Sequence, residues 1–203
     1  MLDQLEHAKL PDGFYLREDV LLIARELLGK KLCTDVDGLF SSGIIVEVEA
    51  YMGPEDRGSH AYNNKRTNRN EVMYARGGVV YMYICYGIHD MLNIVTGAEG
   101  SSHAILIRAL QPADGIPIMQ SRRGITDLKK LCKGPGALAK AMGLVKLHNG
   151  ISLQSDKIWI EENKDVSPEN VVETARVGMN FEGIYKSIPW RFYIKGNPYI
   201  SKK

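Results

Sequence analysis

The middle of this chain passes from one strand-like run to the next with no helix between them. That arrangement argues against the parallel α/β architectures, whose neighbouring strands need helical crossovers. Residues 43–51 alternate in part, with Val46, Val48 and Ala50 on one side and Glu47, Glu49 and Tyr51 on the other. Residues 79–86 and 91–96 are two β-rich runs joined by Gly87, Ile88, His89 and Asp90, a length suited to a hairpin. Residues 104–110 add a further strand. Helical signals sit to either side. Residues 19–29 have Asp19 as a cap, apolar Leu21, Leu22, Leu27 and Leu28, and Gly29 as a stop. Residues 113–123 and the segments flanking Gly134-Pro135-Gly136 are also helical, and strands return at 157–161, 171–177 and 191–194. The expected fold is α+β: one domain over residues 1–203, with a mostly antiparallel curved sheet, surrounding helices and a protruding β-hairpin.

A chain of 203 residues supports one sizeable core and is short for two domains. Its 44% hydrophobic and 25% charged residues are those of a soluble globular protein. A net charge of +2 permits a nucleic-acid partner without arguing for one. The positive charges are bunched, however, at Lys65, Arg66 and Arg69, at Arg122 and Arg123, and at Lys129, Lys130 and Lys133. Cys33, Cys85 and Cys132 are odd in number and far apart, which speaks against a disulfide framework or a metal-ligand set and for a reducing, intracellular compartment. Residues 1–11 lack the apolar core of an export signal. No run approaches the roughly 18 apolar residues that span a bilayer, so no membrane partner is expected.

Chemistry concentrates in a few segments. Glu47, Glu49 and Tyr51 share one side of a strand, and neighbouring acids raise one another's pKa, as general-base work requires. The same row also suits the solvated face of an antiparallel sheet, and on this segment alone that is the more economical reading. His60 lies in a long polar loop, residues 53–76, of a length that is usually functional or disordered. Tyr81, Tyr83 and Tyr86 are ordinary strand residues by propensity. Yet a turn at Gly87 leaves Tyr83 in the strand and puts Tyr86 at an exposed tip, where a ring can wedge into a base stack. Lys65, Arg66, Asn68, Arg69 and Asn70 offer donors for phosphate oxygens, or make a plain solvated loop. Gly134 and its neighbours either present amides at a helix start or simply turn the chain between helices.

Taken in order, these segments resemble the alkyladenine (3-methyladenine) DNA glycosylase family. The resemblance runs through residues 46–56, His60, residues 66–70, residues 81–93, residues 106–110 and residues 191–198, and covers nearly the whole chain from about Phe14 onward. It implies that Glu49 positions and deprotonates the attacking water and that Arg108 helps hold that water and the nearby backbone. Tyr51, His60 and Tyr83 are implied to sandwich a flipped base, with the His60 backbone amide as a hydrogen-bond donor. Tyr86 is implied to fill the gap in the duplex, and Asn93 to screen out purines that carry an exocyclic amino group. The family uses neither metal nor cofactor. Apart from Lys195 in the closing segment no lysine sits in these motifs, which favours direct attack by water over a Schiff base.

Three positions depart from the family's pattern. Asn68 replaces a usual proline, which loosens the basic loop. Asp90 replaces an uncharged residue, which weakens contact with a phosphate backbone. Lys133 replaces a common asparagine, which favours phosphate contact beside Gly134. A zinc base deaminase is excluded because His-x-Glu and Pro-Cys-x-x-Cys are both missing. A helix-hairpin-helix glycosylase has only Gly134-Pro135-Gly136 in its favour. A binding protein without chemistry has little use for Glu49, Tyr51, Tyr83, Tyr86 and Arg108 together. The expected activity is therefore a monofunctional glycosylase, monomeric, acting on double-stranded DNA that contains alkylated or deaminated purines, in the cytoplasm and nucleoid if bacterial.

Overall fold

The structure is a computed structural model that describes residues 8–202. Residues 1–7 and Lys203, which carry the ends of the expected domain and most of the expectation about an export signal, lie outside the described residues. Two short helices come first, α1 (Asp12–Tyr15) and α2 (Val20–Leu27). Asp19 caps α2 as expected, its carboxylate accepting from the Leu22 N–H at 2.9 Å. The helix buries Val20, Ile23, Ala24 and Leu27, while Leu22 stays exposed.

The first hairpin was not expected. Strand β1 (Lys31–Val36) turns into β2 (Leu39–Met52) through Asp37 and Gly38, whose φ angles of 56° and 71° are both positive. That is the primed two-residue turn an Asp-Gly pair favours. Strands β3 (Val80–Cys85) and β4 (His89–Thr96) form the second hairpin. Cys85 pairs with His89, so the connection is Tyr86-Gly87-Ile88, tighter than the Gly87-to-Asp90 link expected. Strand β5 (His103–Pro112) follows, then α3 (Ile116–Arg123), α4 (Leu128–Leu131) and α5 (Pro135–Ala141), with Gly134 capping α5. The last elements are β6 (Ile158–Glu161), β7 (Val171–Thr174), α6 (Ile184–Ser187) and β8 (Arg191–Ile194). β7 is shorter than the expected 171–177, because residues 175–177 leave the sheet.

All eight strands belong to one sheet, in the order β3-β4-β5-β2-β1-β6, with β8 beside β2 and β7 beside β8. Every pairing is antiparallel. β2 is the spine. Along one edge it pairs with β5, and along the other it changes partner from β1 to β8. The change falls at irregularities in register around Glu47, and such bulges bend a strand and curl its sheet. The α+β expectation with a curved antiparallel sheet therefore holds.

The main core gathers residues from α2, α3, α5 and the sheet, among them Ile23, Leu27, Val48, Met82, Ile94, Ile107 and Leu138. A separate small cluster of Ala61, Met73, Tyr74, Tyr81, Val95 and Ala104 anchors the 53–76 loop to the sheet. Each large apolar side chain so buried contributes about 1.5–3 kcal/mol, which is enough to order a long polar loop that would otherwise stay open. Among the described residues no helix is long and apolar enough to cross a membrane.

Candidate active site

Glu49 is fully buried, as is Glu47, and the solvated-face reading of this strand is overturned. β8 and the segments around residues 176 and 201 cover the row. The two acids are held differently. Glu47 accepts from Arg108 Nε at 2.9 Å, from Arg191 Nη1 at 2.9 Å and from the Ser201 hydroxyl at 2.9 Å, with the Ser201 N–H as a further donor. It ties β5, β8 and the C-terminal segment together. Glu49 accepts from the Tyr51 hydroxyl at 2.8 Å on Oε2 and from the Val177 N–H at 2.7 Å on Oε1. Arg108 Nη1 lies 3.2 Å from Oε1. A carboxylate has about four lone-pair sites. Among the described residues Oε2 takes a single protein donor, whereas Oε1 takes two.

Tyr51 leads from Glu49 to a small cavity of about 170 Å³, lined by Tyr51, Gly58, His60, Met73, Tyr83 and Asn93 among others. The structure thus brings the sequence-selected Tyr51, His60, Tyr83 and Asn93 to one place. His60 and Tyr83 meet edge to face with centroids 4.6 Å apart, and His60 Nδ1 lies 2.9 Å from the Tyr81 hydroxyl. Asn93 is buried, and its amide donates to the carbonyls of Tyr81 at 3.1 Å and Met91 at 3.3 Å, which fixes its plane. The His60 N–H has no acceptor among the described residues.

Burial sets the electrostatics here. It lowers the His60 pKa to about 4, helped by the charges of Arg69 and Lys65, so the ring is neutral at pH 7. Burial and then the charge of Glu49 push the Tyr51 phenol well above its ordinary value, so it stays a donor. Tyr83 rises to about 12, first through burial. A larger groove of about 660 Å³ runs past Ile88, His89 and Asp90 toward α5, but it holds none of the acid–tyrosine set.

Sequence reasoning missed the residues that hold these groups. Arg176, buried against Asp56, lies 4.7 Å from the Tyr51 ring. Val177 reaches Glu49 across 128 positions, and Met179 lines the cavity. They lie at and beside the Val177-Gly178 turn, where no periodicity marks them. Asp56 organises the polar loop together with Asn70, which is buried with its amide bonded inside the loop and so does not offer the phosphate donor expected of it. Asp56 accepts from the Gly58 N–H at 2.8 Å, and Asn70 donates to the carbonyls of His60 at 2.9 Å and Lys65 at 2.7 Å. The signal available was the Asx residues themselves, which close turns through their side chains.

The residues selected for contact with a polyanion lie at the surface. Tyr86 is 84% exposed at the hairpin tip, beside Ile88 at 74%, and it has a φ of 50°. Lys65, Arg66 and Arg69 are exposed, and of the three Arg66 alone is paired with an acid among the described residues. Arg66 pairs with Glu71 through Nε at 3.0 Å. Arg69 donates to the Ile84 carbonyl at 3.3 Å and lies over the Tyr83 ring. Asn68 sits in a turn closed by Asn70 N–H to Thr67 O at 3.0 Å. Lys133 is exposed immediately before Gly134, and Gly134 lines the recess behind Tyr86. Gly136 faces the hairpin so closely that a Cβ there would come within 2.9 Å of His89 Nδ1.

Comparison with known proteins places residues 13–198 in a match to the family described as methylpurine-DNA glycosylase. The chain is 44% identical over 187 residues to a protein of Chlamydia felis, covering 91% of this chain and 95% of that one. It is 43% identical over 187 residues to one from Chlamydia pneumoniae, covering 91% and 94%. It is 42% identical over 203 residues to one from Bacillus cereus strain G9842, covering 95% and 98%. Each of the three is named "Putative 3-methyladenine DNA glycosylase".

Proposed function

The chain belongs to the methylpurine-DNA glycosylase family, hydrolases of N-glycosyl bonds in base excision repair, and from that premise we propose that it flips damaged purines and releases them with a water activated by Glu49. The observation that carries this reading is the buried Glu49. Every protein contact to it is a donor, and among the described residues Oε2 takes only the hydroxyl of Tyr51, a ring that also lines the cavity.

Chemistry on a base inside a duplex requires its extrusion, at a cost of a few kcal/mol that is least for damaged or mispaired bases. Tyr86 enters the stack from the hairpin tip and fills the gap. The base enters the cavity, whose size falls below the roughly 300–1,000 Å³ of sites for drug-sized ligands and suits a single base. There it stacks with Tyr51 and Tyr83, at a gain of about 1–3 kcal/mol per base. The neutral His60 and its free N–H read one edge of the base. Asn93, its plane fixed by two carbonyls, clashes with an exocyclic amino group and so disfavours guanine.

Bond cleavage develops positive charge on the sugar. Glu49 stabilises that charge and takes a proton from water bound at Oε2. The oxygen of that water forms the new bond to the anomeric carbon, and the purine leaves with the old bonding pair. Arg108 holds the carboxylate in place. The product is an intact strand with an abasic site. Lys65, Arg69 and Lys133, with Arg66 and the backbone at Gly134, contact the DNA backbone. The whole chain, residues 1–203, acts as one monomeric glycosylase domain without metal or cofactor, in the cytoplasm and at the nucleoid in a bacterium.

Duplexes each carrying one defined lesion (3-methyladenine, ethenoadenine or hypoxanthine) test this directly. After incubation with protein and alkali treatment, strand scission at the lesion is expected for at least one of them and not before alkali. Scission without alkali, or at none of them, contradicts the reading.

A further inference from the structure

On the strength of the roles just given to Glu49 and Tyr51, we propose that Arg176 is a positioning residue whose buried guanidinium holds the base-stacking ring and the water-activating carboxylate in one fixed relation. Its side chain and that of Asp56 are both 0% exposed. Arg176 Nη1 donates to Asp56 Oδ2 and to the Ala50 carbonyl, the latter at 3.0 Å. Nη2 donates to Asp56 Oδ1 at 2.7 Å and to the Tyr185 carbonyl at 3.3 Å. The guanidinium carbon lies 4.7 Å from the Tyr51 ring centroid and 5.3 Å from that of Trp190, so the group is stacked as well as bonded. A buried pair of this kind seldom stabilises a fold more than apolar packing of the same volume. What a planar, bidentate, stacked guanidinium does supply is orientation.

Three walls of the site depend on that orientation. The Tyr51 ring, which lines the cavity, is held by the guanidinium. The next residue, Val177, donates its N–H to Glu49 Oε1 at 2.7 Å, so the backbone that Arg176 anchors also sets the carboxylate. Asp56, locked by Arg176, accepts from the Gly58 N–H and thereby places Gly58 on the cavity wall. A Cβ at Gly58 would come 2.8 Å from Arg176 Nη2 and 3.0 Å from Met179 Sδ, so this junction has no slack. A lysine at 176 keeps the charge but has a compact ammonium that cannot form both parallel bonds or stack between two rings.

The test joins a structure to kinetics. In a crystal structure of R176K the Tyr51 hydroxyl and Glu49, 2.8 Å apart in the native chain, should part beyond hydrogen-bond reach. Single-turnover excision should fall about 10²-fold, the cost of a 1 Å misplacement of reacting groups, while affinity for undamaged duplex stays within about twofold. In an E49Q background the same substitution should cost clearly less than that, because the part of its effect carried by Glu49 is already lost. Should R176K unfold at the assay temperature, D56N is carried through the same measurements. An unchanged Tyr51–Glu49 distance, or an equal loss with and without Glu49, overturns the proposal. Separation of the pair in a protein that excises no purine lesion at all would uphold the positioning role and instead defeat the reading on which it rests.

Discussion

The hydroxyl of Tyr51 donates to Oε2 of Glu49 at 2.8 Å, linking the ring that faces the cavity to the acid beside it on the same strand. A hydrogen bond to a charged acceptor is worth about 1.5–3 kcal/mol, or roughly ten- to hundredfold in rate. Tyr51→Phe keeps the ring and removes that bond. Single-turnover excision should drop by roughly that factor, with binding of damaged duplex little altered. An undiminished rate would show that the phenol has no part in setting the carboxylate.

Tyr86 reaches into solvent at the hairpin tip and contributes little to folding, so Tyr86→Ser should leave stability within about 0.5 kcal/mol of the native protein. Its effect belongs to DNA. Loss of one stacked ring costs about 1–3 kcal/mol, so affinity for a damaged site should fall by roughly tenfold or more. Equal affinity in a fluorescence titration of a lesion duplex would remove Tyr86 from the wedge role.

His60 gives the fold a dependence on pH. In the folded chain it stays neutral down to about 4, whereas in the unfolded chain it takes its proton near 6.5. Between those values the unfolded state binds more protons, so stability falls as pH is lowered through that window. The loss is about 2 kcal/mol after allowance for the ring's partial exposure. Urea midpoints at pH 7 and pH 4 should differ less in His60→Gln than in the native protein. Parallel losses in the two proteins would contradict the assignment.

Asp90 stands one residue from the exposed part of the hairpin, and one of its oxygens is buried without a partner. On the proposed approach of DNA to the tip, its charge would repel the phosphate backbone. Asp90→Asn should tighten binding to undamaged duplex severalfold at low salt, an advantage that shrinks as salt screens the charge. Weaker binding in this variant would mean that Asp90 makes a favourable contact with DNA.

Much of this architecture is legible in residue order. Asp19 announces its helix through a short polar side chain ahead of an apolar run, and the β3–β4 hairpin through β-rich segments around Gly87. Strand β1 is harder to read, because Lys31, Thr34 and Asp35 break its apolar pattern and its one strong mark is the Asp37-Gly38 turn. The site divides in the same way. Tyr83 and Tyr86 take their places from strand parity and the turn, whereas Glu49 looks like a surface acid until Val177 and Arg108 arrive from distant positions. Residues such as Arg176 and Met179 carry no local signature, because their roles arise only when a turn folds back over β2. The basic loop also shows the limit of charge counting. Arg66 is largely neutralised by Glu71, a partner five positions along the chain.

The central claim is that Glu49 activates water against a flipped purine, and Glu49→Gln tests it most directly. The substitution keeps the shape and an acceptor oxygen while removing the base. Single-turnover excision from a lesion duplex, read on an alkali-treated gel, should fall by roughly 10²–10⁴-fold, with affinity for that duplex retained. Excision at the native rate would contradict the account.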